Sequence, residues 1–125
     1  MQPLYLFGLA SRHSQWATVR QAAITGNIAN ANTPGYKAVD TASFEAVLGQ
    51  TQLTMARTSE THISTPAAEA QTRTRDAKDA WGINNSGNSV SIEQEMLKAN
   101  EVNTSFTLDT TIVRSFNRMI LAGLK

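Results

Sequence analysis

Apolar side chains recur at helical spacing in the first quarter of the chain. No proline interrupts the stretch from Leu4 to about Ala31, and Pro3 suits the first turn of a helix. The apolar residues that share one face of this stretch are Leu9, Trp16, Val19 and Ala23. The pattern predicts one long helix with a narrow apolar stripe, used for packing against another helix.

A second helical pattern runs from residue 90 to the end of the chain. Ser91 is a good N-cap, and Gln94 three residues later completes a capping box. The apolar stripe that we expect to pack against another helix consists of Ile92, Met96, Ala99, Val102, Phe106, Val113, Phe116 and Ile120. Asp109 alone interrupts it. A further apolar set, Leu108, Ile112 and Met119, lies off this stripe, so one helical partner cannot cover the last turns.

The middle of the chain is more polar. Residues 40–49 predict a short amphipathic helix, capped by Asp40 or Ser43, with Phe44, Val47 and Leu48 on one face. Residues 50–89 are rich in Thr, Ser, Ala and Asn, which predicts a loosely folded insertion with extended pieces or a short hairpin around residues 53–63. Residues 84–88 predict a flexible hinge of turn-forming residues.

These patterns predict a mainly α fold with three parts. Residues 1–37 form the amino-terminal helix and its turn, residues 38–89 the loosely structured or β-containing middle segment, and residues 90–125 the carboxy-terminal helix. The two long terminal helices pack most simply as an antiparallel coiled-coil hairpin. Because the rest of the chain supplies too few apolar residues to surround this hairpin, its outer faces require neighbours, which favours self-assembly or docking.

The end of the first helix has an unusual composition. Asparagine bonds locally to the backbone and tolerates the left-handed conformation, so a cluster of asparagines marks a helix end of specific shape. Proline at the first central position and glycine at the second predict a type II turn. The residues of this helix end and turn are Asn27, Asn30, Asn32, Thr33, Pro34, Gly35, Tyr36 and Lys37.

Composition and charge exclude several classes of function. The 125 residues carry a net charge of +1 with scattered basic residues, so nothing favours nucleic-acid binding. Cysteine is absent, which excludes disulfides and thiolate metal sites. No apolar run reaches the roughly 20 residues that span a bilayer, and residues 1–8 lack the features of a cleaved secretory signal. Both ends of the chain are basic, and the acidic residues lie between them.

The sequence shows no catalytic or cofactor motif. Neither a nucleophile elbow nor a phosphate-binding loop is present, and the acidic residues lack metal-ligand spacing. His13 falls close to the first apolar stripe with no second ligand one turn away, so we expect it to be a packed or capping side chain. We therefore predict a protein that is not an enzyme and that has no cofactor or metal.

Residues 27–38, Asn-Ile-Ala-Asn-Ala-Asn-Thr-Pro-Gly-Tyr-Lys-Ala, closely resemble the signature of the bacterial flagellar rod, hook and hook-associated proteins. Residues 87–96 resemble the start of the carboxy-terminal helix of that family, with Ser91 where the family often has aspartate, and residues 61–63 resemble a short element of its middle region. The short chain is most similar to the proximal rod subunits. Residues 65–80 match no part of the family pattern.

The resemblance implies a structural subunit of the basal-body rod, which is used in motility. It implies terminal helices that form the inner coiled-coil layer of a hollow periplasmic rod, and type III export without a cleaved signal peptide. The implied partners are other copies, FlgC-like rod subunits, a FliE-like adaptor, the MS ring and the export gate. Phe44 and Leu48 resemble the short element that the export gate recognises in early substrates, although any short amphipathic helix has the same spacing.

Two alternatives remain open from the sequence. One is a soluble helical-hairpin export chaperone or adaptor, which would fold alone and present a single apolar groove. The other is a different rod protein of the same family, such as FlgC. A rod subunit would instead have several partly covered apolar faces.

Overall fold

The computed structural model describes residues 3–49, 72 and 74–124. Within these ranges the chain forms helix α1 (Pro3–Ala29), strand β1 (Val39–Thr41), helix α2 (Phe44–Gly49), strand β2 (Thr74–Asp76) and helix α3 (Ile92–Gly123). The predicted first helix is confirmed, although it ends at Ala29, two residues before the predicted end. Neither long helix has an apolar stretch of the length and hydropathy that a membrane span needs, as far as the described residues go.

Helices α1 and α3 pack against each other along their length and form most of the structure. The side chains that meet across the interface run in opposite chain directions, which makes the pair antiparallel and confirms the predicted hairpin. From one end to the other the contacts are Phe7 with Phe116, His13 with Asp109, Arg20 with Glu101, and Asn27 with Glu95.

The apolar core is small and lies in the middle of the hairpin, where Phe44 of α2 contacts His13 and Trp16 of α1. Its buried members are Trp16, Ala17, Ile24, Val47 and Val102. The Trp16 indole nitrogen donates a 2.7 Å hydrogen bond to the carbonyl oxygen of Ala42, just before α2. This bond satisfies the polar end of a buried aromatic side chain and holds α2 at one place on the hairpin.

The prediction of a helix over residues 40–49 is wrong in its first part. Residues 39–41 form β1, which pairs antiparallel with β2, with Val39 opposite Asp76 and Thr41 opposite Thr74. The helix begins only at Phe44, where the Ser43 hydroxyl accepts a 3.3 Å hydrogen bond from the amide of Ala46, so Ser43 and not Asp40 is the cap. The β-branched residues 39 and 41 favour an extended chain. The extended pieces predicted around residues 53–63 lie outside the described residues.

The apolar stripe predicted on α3 departs from the face that packs against α1 only at its first two members. Val102 is buried, whereas Ile92 and Met96 are exposed; near the start of α3 the buried positions belong to polar residues, Gln94, Glu95 and Lys98. The remaining members of the two predicted packing sets fall into two groups. Trp16 and Ala23 are buried, and Leu9, Val19, Ala99, Phe106, Val113, Phe116 and Ile120 are half-buried. The mismatch arises because this end of the hairpin has a polar interior.

Candidate functional site

The polar interior lies where α1 ends and α3 begins. We name residues 27–38 and 84–91 together the joint, because these two segments are bonded to each other. Within the first segment, the amide of Tyr36 donates a 3.2 Å hydrogen bond to the carbonyl of Thr33, and Gly35 has φ of 73°. This geometry agrees with the predicted type II turn, in which glycine supplies the positive φ.

Asn27 is fully buried and connects three elements. Its amide nitrogen donates to the carbonyl of Val39 at 2.8 Å and to the carboxylate of Glu95 at 3.0 Å. Its side-chain oxygen accepts from the amide of Val39 at 3.0 Å and from the Tyr36 hydroxyl at 3.4 Å. The last turn of α1 is thereby tied to β1, to the turn and to α3 through one side chain.

The other asparagines of the first segment act more locally. Asn30 donates from its side chain to the carbonyl of Gly26 at 2.9 Å, and accepts from the Thr33 hydroxyl at 3.2 Å. These bonds cap the end of α1 and hold the first residues after it. Asn32 and Pro34 are exposed. Asn27 is therefore the asparagine of this segment that reaches other elements of the fold.

Asn88, in the second segment, has a role that the sequence analysis missed. Its amide nitrogen donates to the carbonyls of Asn30, Ala31 and Thr33 at 2.8, 3.0 and 2.8 Å, and its oxygen accepts from the amide of Val90 at 2.8 Å. It thus binds the turn that follows α1 from more than fifty residues away. The prediction of a flexible hinge is wrong at this residue, which is buried and fully bonded. The resemblance of residues 87–96 to the family pattern was the available signal.

Backbone bonds join the two segments on either side of Asn88. The amide of Gly35 donates to the carbonyl of Ser86 at 2.9 Å, and the amide of Ser89 donates to the carbonyl of Tyr36 at 3.0 Å. The Ser89 hydroxyl also accepts from the amide of Ala38 at 2.8 Å, within the buried part of the joint. The Lys37 ammonium donates to the carbonyl of Gly87 at 2.9 Å on the outside.

Two glycines with positive φ face each other where the segments meet. Gly87 also has a positive φ, of 81°, and a Cβ atom on it would lie 3.5 Å from the Cα of Gly35. That distance is an ordinary contact, so it is the left-handed backbone at both positions that favours glycine. The two family-like segments of the sequence therefore form one structural unit.

A cluster of charged residues lies beside the joint. The Lys98 ammonium is 2.9 Å from Asp40, 3.5 Å from Asp79 and 3.9 Å from Glu95. Arg20 contacts Asp40 at 3.4 Å and Glu101 at 3.1 Å. The cluster connects α1, β1, the loop before α3, and α3 itself.

These contacts shift the pKa values of the buried members in different directions. Burial acts to raise the pKa of Asp40, but the Lys98 contact, the amide of Thr41 and the nearby positive charges together hold it below its usual value of 3.8. Burial raises the pKa of Glu95, and the bond from Asn27 offsets this only in part. Burial acts to lower the pKa of Lys98, but its acidic neighbours raise it overall. Asp40 and Lys98 therefore stabilise each other as ions.

Asp40→Asn is expected to lower the free energy of unfolding at neutral pH by about 1 kcal/mol, because Lys98 keeps two other carboxylates nearby. Because the pKa of Asp40 is lowered in the folded state, Asp40 contributes stability above pH 3.8, and this contribution is lost as the pH falls through the folded-state pKa. Glu95 has the opposite effect. Because its pKa is raised in the folded state, its contribution to stability is present below pH 4.5 and is lost as the pH rises. The variant should therefore lose less stability than wild type below pH 3.8.

Urea unfolding followed by circular dichroism, at a series of pH values from about 2 to 7, measures this difference. Asp76→Asn, which changes an exposed aspartate on the neighbouring strand, is the matched control. Equal acid sensitivity in wild type and Asp40→Asn would contradict the assignment.

The start of α3 confirms the predicted cap and changes the role of Gln94. The Ser91 hydroxyl accepts a 3.4 Å hydrogen bond from the amide of Gln94. The Gln94 side chain does not return to the cap; it donates to the carbonyl of Asp79 at 2.7 Å and accepts from the amide of Trp81 at 3.2 Å. The pKa of Glu93 is lowered because its own backbone amide and the Ser91 hydroxyl donate to its carboxylate.

His13 is packed, as predicted, and has a partner on the opposite helix. Its Nδ1 lies 2.6 Å from the carboxylate of Asp109, the residue that interrupts the α3 stripe. Its ring stacks on Trp16 with centroids 5.4 Å apart and meets the edge of Phe44 at 4.6 Å. The acidic interruption therefore serves a contact between α1 and α3. Within the described ranges, no group of acidic and histidine side chains could hold a metal ion.

The two residues predicted to be recognised in export lie on α2. Phe44 is half-buried against His13 and Trp16, and Leu48 lies at the exposed edge, with the buried Val47 between them. In the folded chain, the aromatic half of this pair is therefore covered by α1. Its role in export stays a prediction.

Comparison with known proteins agrees with the resemblance. The family model described as flagella basal body rod protein matches residues 15–37, which include most of the first segment of the joint. The chain is 43% identical over 129 aligned positions to a curated relative, the flagellar basal body rod protein FlgB of Agrobacterium fabrum. The alignment covers all of this chain and 96% of that protein.

Proposed function

The chain belongs to the family of flagellar basal-body rod proteins, and we propose that it occupies the proximal part of the rod. It is a structural subunit of the basal body, and the full-length match to FlgB is the observation that carries this conclusion. We infer from the structural character of the family that the chain has no enzymatic activity. The finer proposals concern how it assembles, with which neighbours, and by what route it is delivered.

The exposed apolar residues of α3 supply the surface for assembly. Leu97, Leu108 and Met119 are 55%, 57% and 62% exposed, and Ile112 lies with them on one face of the helix. Ile92, Met96 and Leu121 are exposed on another face. Large apolar side chains exposed in this number on one helix favour a protein interface. Since these side chains lie on two faces, they suit a polymer whose subunits have neighbours on both sides, and they do not suit the single groove of an export chaperone.

A groove lies between α1 and α3 in the half of the hairpin that is farther from the joint. It has a volume of about 430 Å³ and lies between small residues of α1, such as Ala10 and Ser14, and Thr110 and Val113 of α3. Small side chains allow a neighbouring helix to come close. We propose that terminal helices of other rod subunits pack here and along the exposed faces of α3.

The proposed neighbours are other copies, FlgC-like subunits, a FliE-like adaptor, the MS ring and the export gate. This proposal rests on the family and on the FlgB relative. The proposed location is the periplasmic rod of the basal body, reached by the flagellar export apparatus without removal of an amino-terminal leader.

Ile112→Asp is expected to abolish swimming in soft agar and incorporation into basal bodies, because it places a charge on the proposed assembly face. The free energy of unfolding of the purified chain should change by less than about 0.5 kcal/mol, since the position is exposed. Complementation of a strain that lacks this protein, together with immunoblots of purified basal bodies, measures the effect.

Asn100→Asp, at an exposed polar position of the same helix, is the matched control and should assemble normally. Normal motility of Ile112→Asp would contradict the assembly face.

Gold labelling of tagged wild-type subunits in the same basal bodies tests the position along the rod, and label away from the base would contradict the proximal assignment. Mass spectrometry of the amino-terminal peptide from this material tests delivery without cleavage.

A further inference from the structure

The two segments of the joint hold each other in place across a large distance in the chain. The end of α1 leaves carbonyl groups that no residue of the helix can satisfy. Asn88 donates to the carbonyls of Asn30, Ala31 and Thr33, although those of Asn30 and Thr33 also accept from local amides. The amides of Gly35 and Ala38 donate to Ser86 and Ser89 of the second segment, and not to the local turn.

The residues just after the turn also depend on later parts of the chain. β1 pairs with β2, and the carbonyl of Ala38 accepts a 2.8 Å hydrogen bond from the amide of Ala77. Lys98 neutralises Asp40, and Glu95 accepts from Asn27. A chain that ended before residue 74 would leave the buried polar groups of residues 27–40 without these partners. Each unsatisfied buried group would destabilise the folded geometry of this segment.

We propose that the joint acts as a folding-order device, in which residues 27–40 take their folded geometry only when residues 74–98 reach them. α1 alone then lacks the tertiary packing from which most of the stability of a protein helix comes. In a chain delivered by the flagellar export apparatus, which rests on the proposed function, the joint closes only after both of its segments have arrived. The joint therefore cannot be folded while the chain is still being exported.

Pulse-labelling hydrogen exchange during refolding of the full chain from urea tests the order directly. The amides of Gly35 and Ala38 should gain protection in the same kinetic phase as those of Ser89 and Val90. Earlier protection of the first pair would overturn the proposal. If the protein showed this earlier protection and still entered basal bodies, the proposed folding order would be wrong and the proposed function would be unaffected.

A mild substitution tests the coupling at equilibrium. Ser89→Ala removes the hydroxyl that accepts from the amide of Ala38. The protection of the Gly35, Val39 and Val90 amides should fall by one common factor of about tenfold, the loss of one buried hydrogen bond. Ser86→Ala, an exposed serine whose carbonyl alone takes part, is the matched control. Wild-type protection at Gly35 and Val39 in Ser89→Ala would show that the first segment folds by itself.

Discussion

Asn88→Asp is expected to lower the free energy of unfolding by about 3 to 5 kcal/mol, because it leaves an uncompensated charge at a buried position. The change keeps the oxygen that accepts from the amide of Val90 but replaces the amide nitrogen by a second oxygen. That oxygen would face the carbonyls of Asn30, Ala31 and Thr33, which now accept hydrogen bonds. The three carbonyls lose a shared donor, although those of Asn30 and Thr33 keep bonds from local amides. A buried negative charge is left facing carbonyl oxygens with no donor between them.

Urea or thermal unfolding followed by circular dichroism measures this loss. Asn85→Asp makes the same chemical change at an exposed position of the same segment and should alter stability by less than about 0.5 kcal/mol. Asn88→Ala removes the donor without adding charge and should fall between the two. Similar stability of all three variants would show that the Asn88 bonds contribute little.

Gly35→Val is expected to abolish incorporation into basal bodies. Gly35 has φ of 73°, a region that a β-branched residue enters only with strain of about 1 to 3 kcal/mol. A Cβ at this position has no atom within 4 Å, so the cost comes from the backbone and not from a clash. Since the turn sets the direction in which the chain leaves α1, the error would be repeated at every subunit of a polymer.

Gly35→Asn separates the two explanations for such a loss. Asparagine tolerates a positive φ, so this variant should keep the turn and assemble. Gly82→Val, at an exposed loop glycine with open space around it, controls for the added bulk and should also assemble. Purification of basal bodies and immunoblotting of their subunits gives the measurement. Wild-type incorporation of Gly35→Val would show that the turn does not position the helices.

The joint contrasts with the rest of the hairpin in how it is held together. Its interior consists of polar side chains such as Asn27 and Asn88, joined by Glu95 of α3, whose hydrogen bonds require particular directions as well as distances. A fully bonded polar network specifies one geometry, because an alternative arrangement would leave buried groups unsatisfied. The apolar residues of α3 are meanwhile left on the surface. This division suits a subunit whose shape is set internally and whose hydrophobic surface is used for assembly.

The local features of the fold could be predicted from the sequence. Residue spacing identified both long helices, the Ser91 cap placed the start of α3, and Pro34-Gly35 identified the turn. Each of these depends on residues within a few positions of one another. The antiparallel hairpin also followed, because two helices joined by a polar middle have few other ways to bury their stripes.

The sequence interpretation failed where a residue's partner is distant in the chain. Hydrophobicity alone put Ile92 and Met96 on the packing face, whereas Glu95 and Lys98 are buried there against Asn27 and Asp40. Periodicity assumes an apolar interior, and this end of the hairpin has a polar one. Asp40 was likewise assigned to a helix because its ion pair and its strand partner come from far along the chain.

By itself, therefore, the sequence determined the two terminal helices, the shape of the turn after α1 and the family to which the chain belongs. Only the tertiary structure decided that the Asn-rich helix end and the segment around Asn88 form one joint. The physical reason is that a helix cap and a turn are satisfied by neighbours in the chain, whereas the carbonyls beyond α1 accept from an amide more than fifty residues away. The helix end at Asn27 is thus completed by α3.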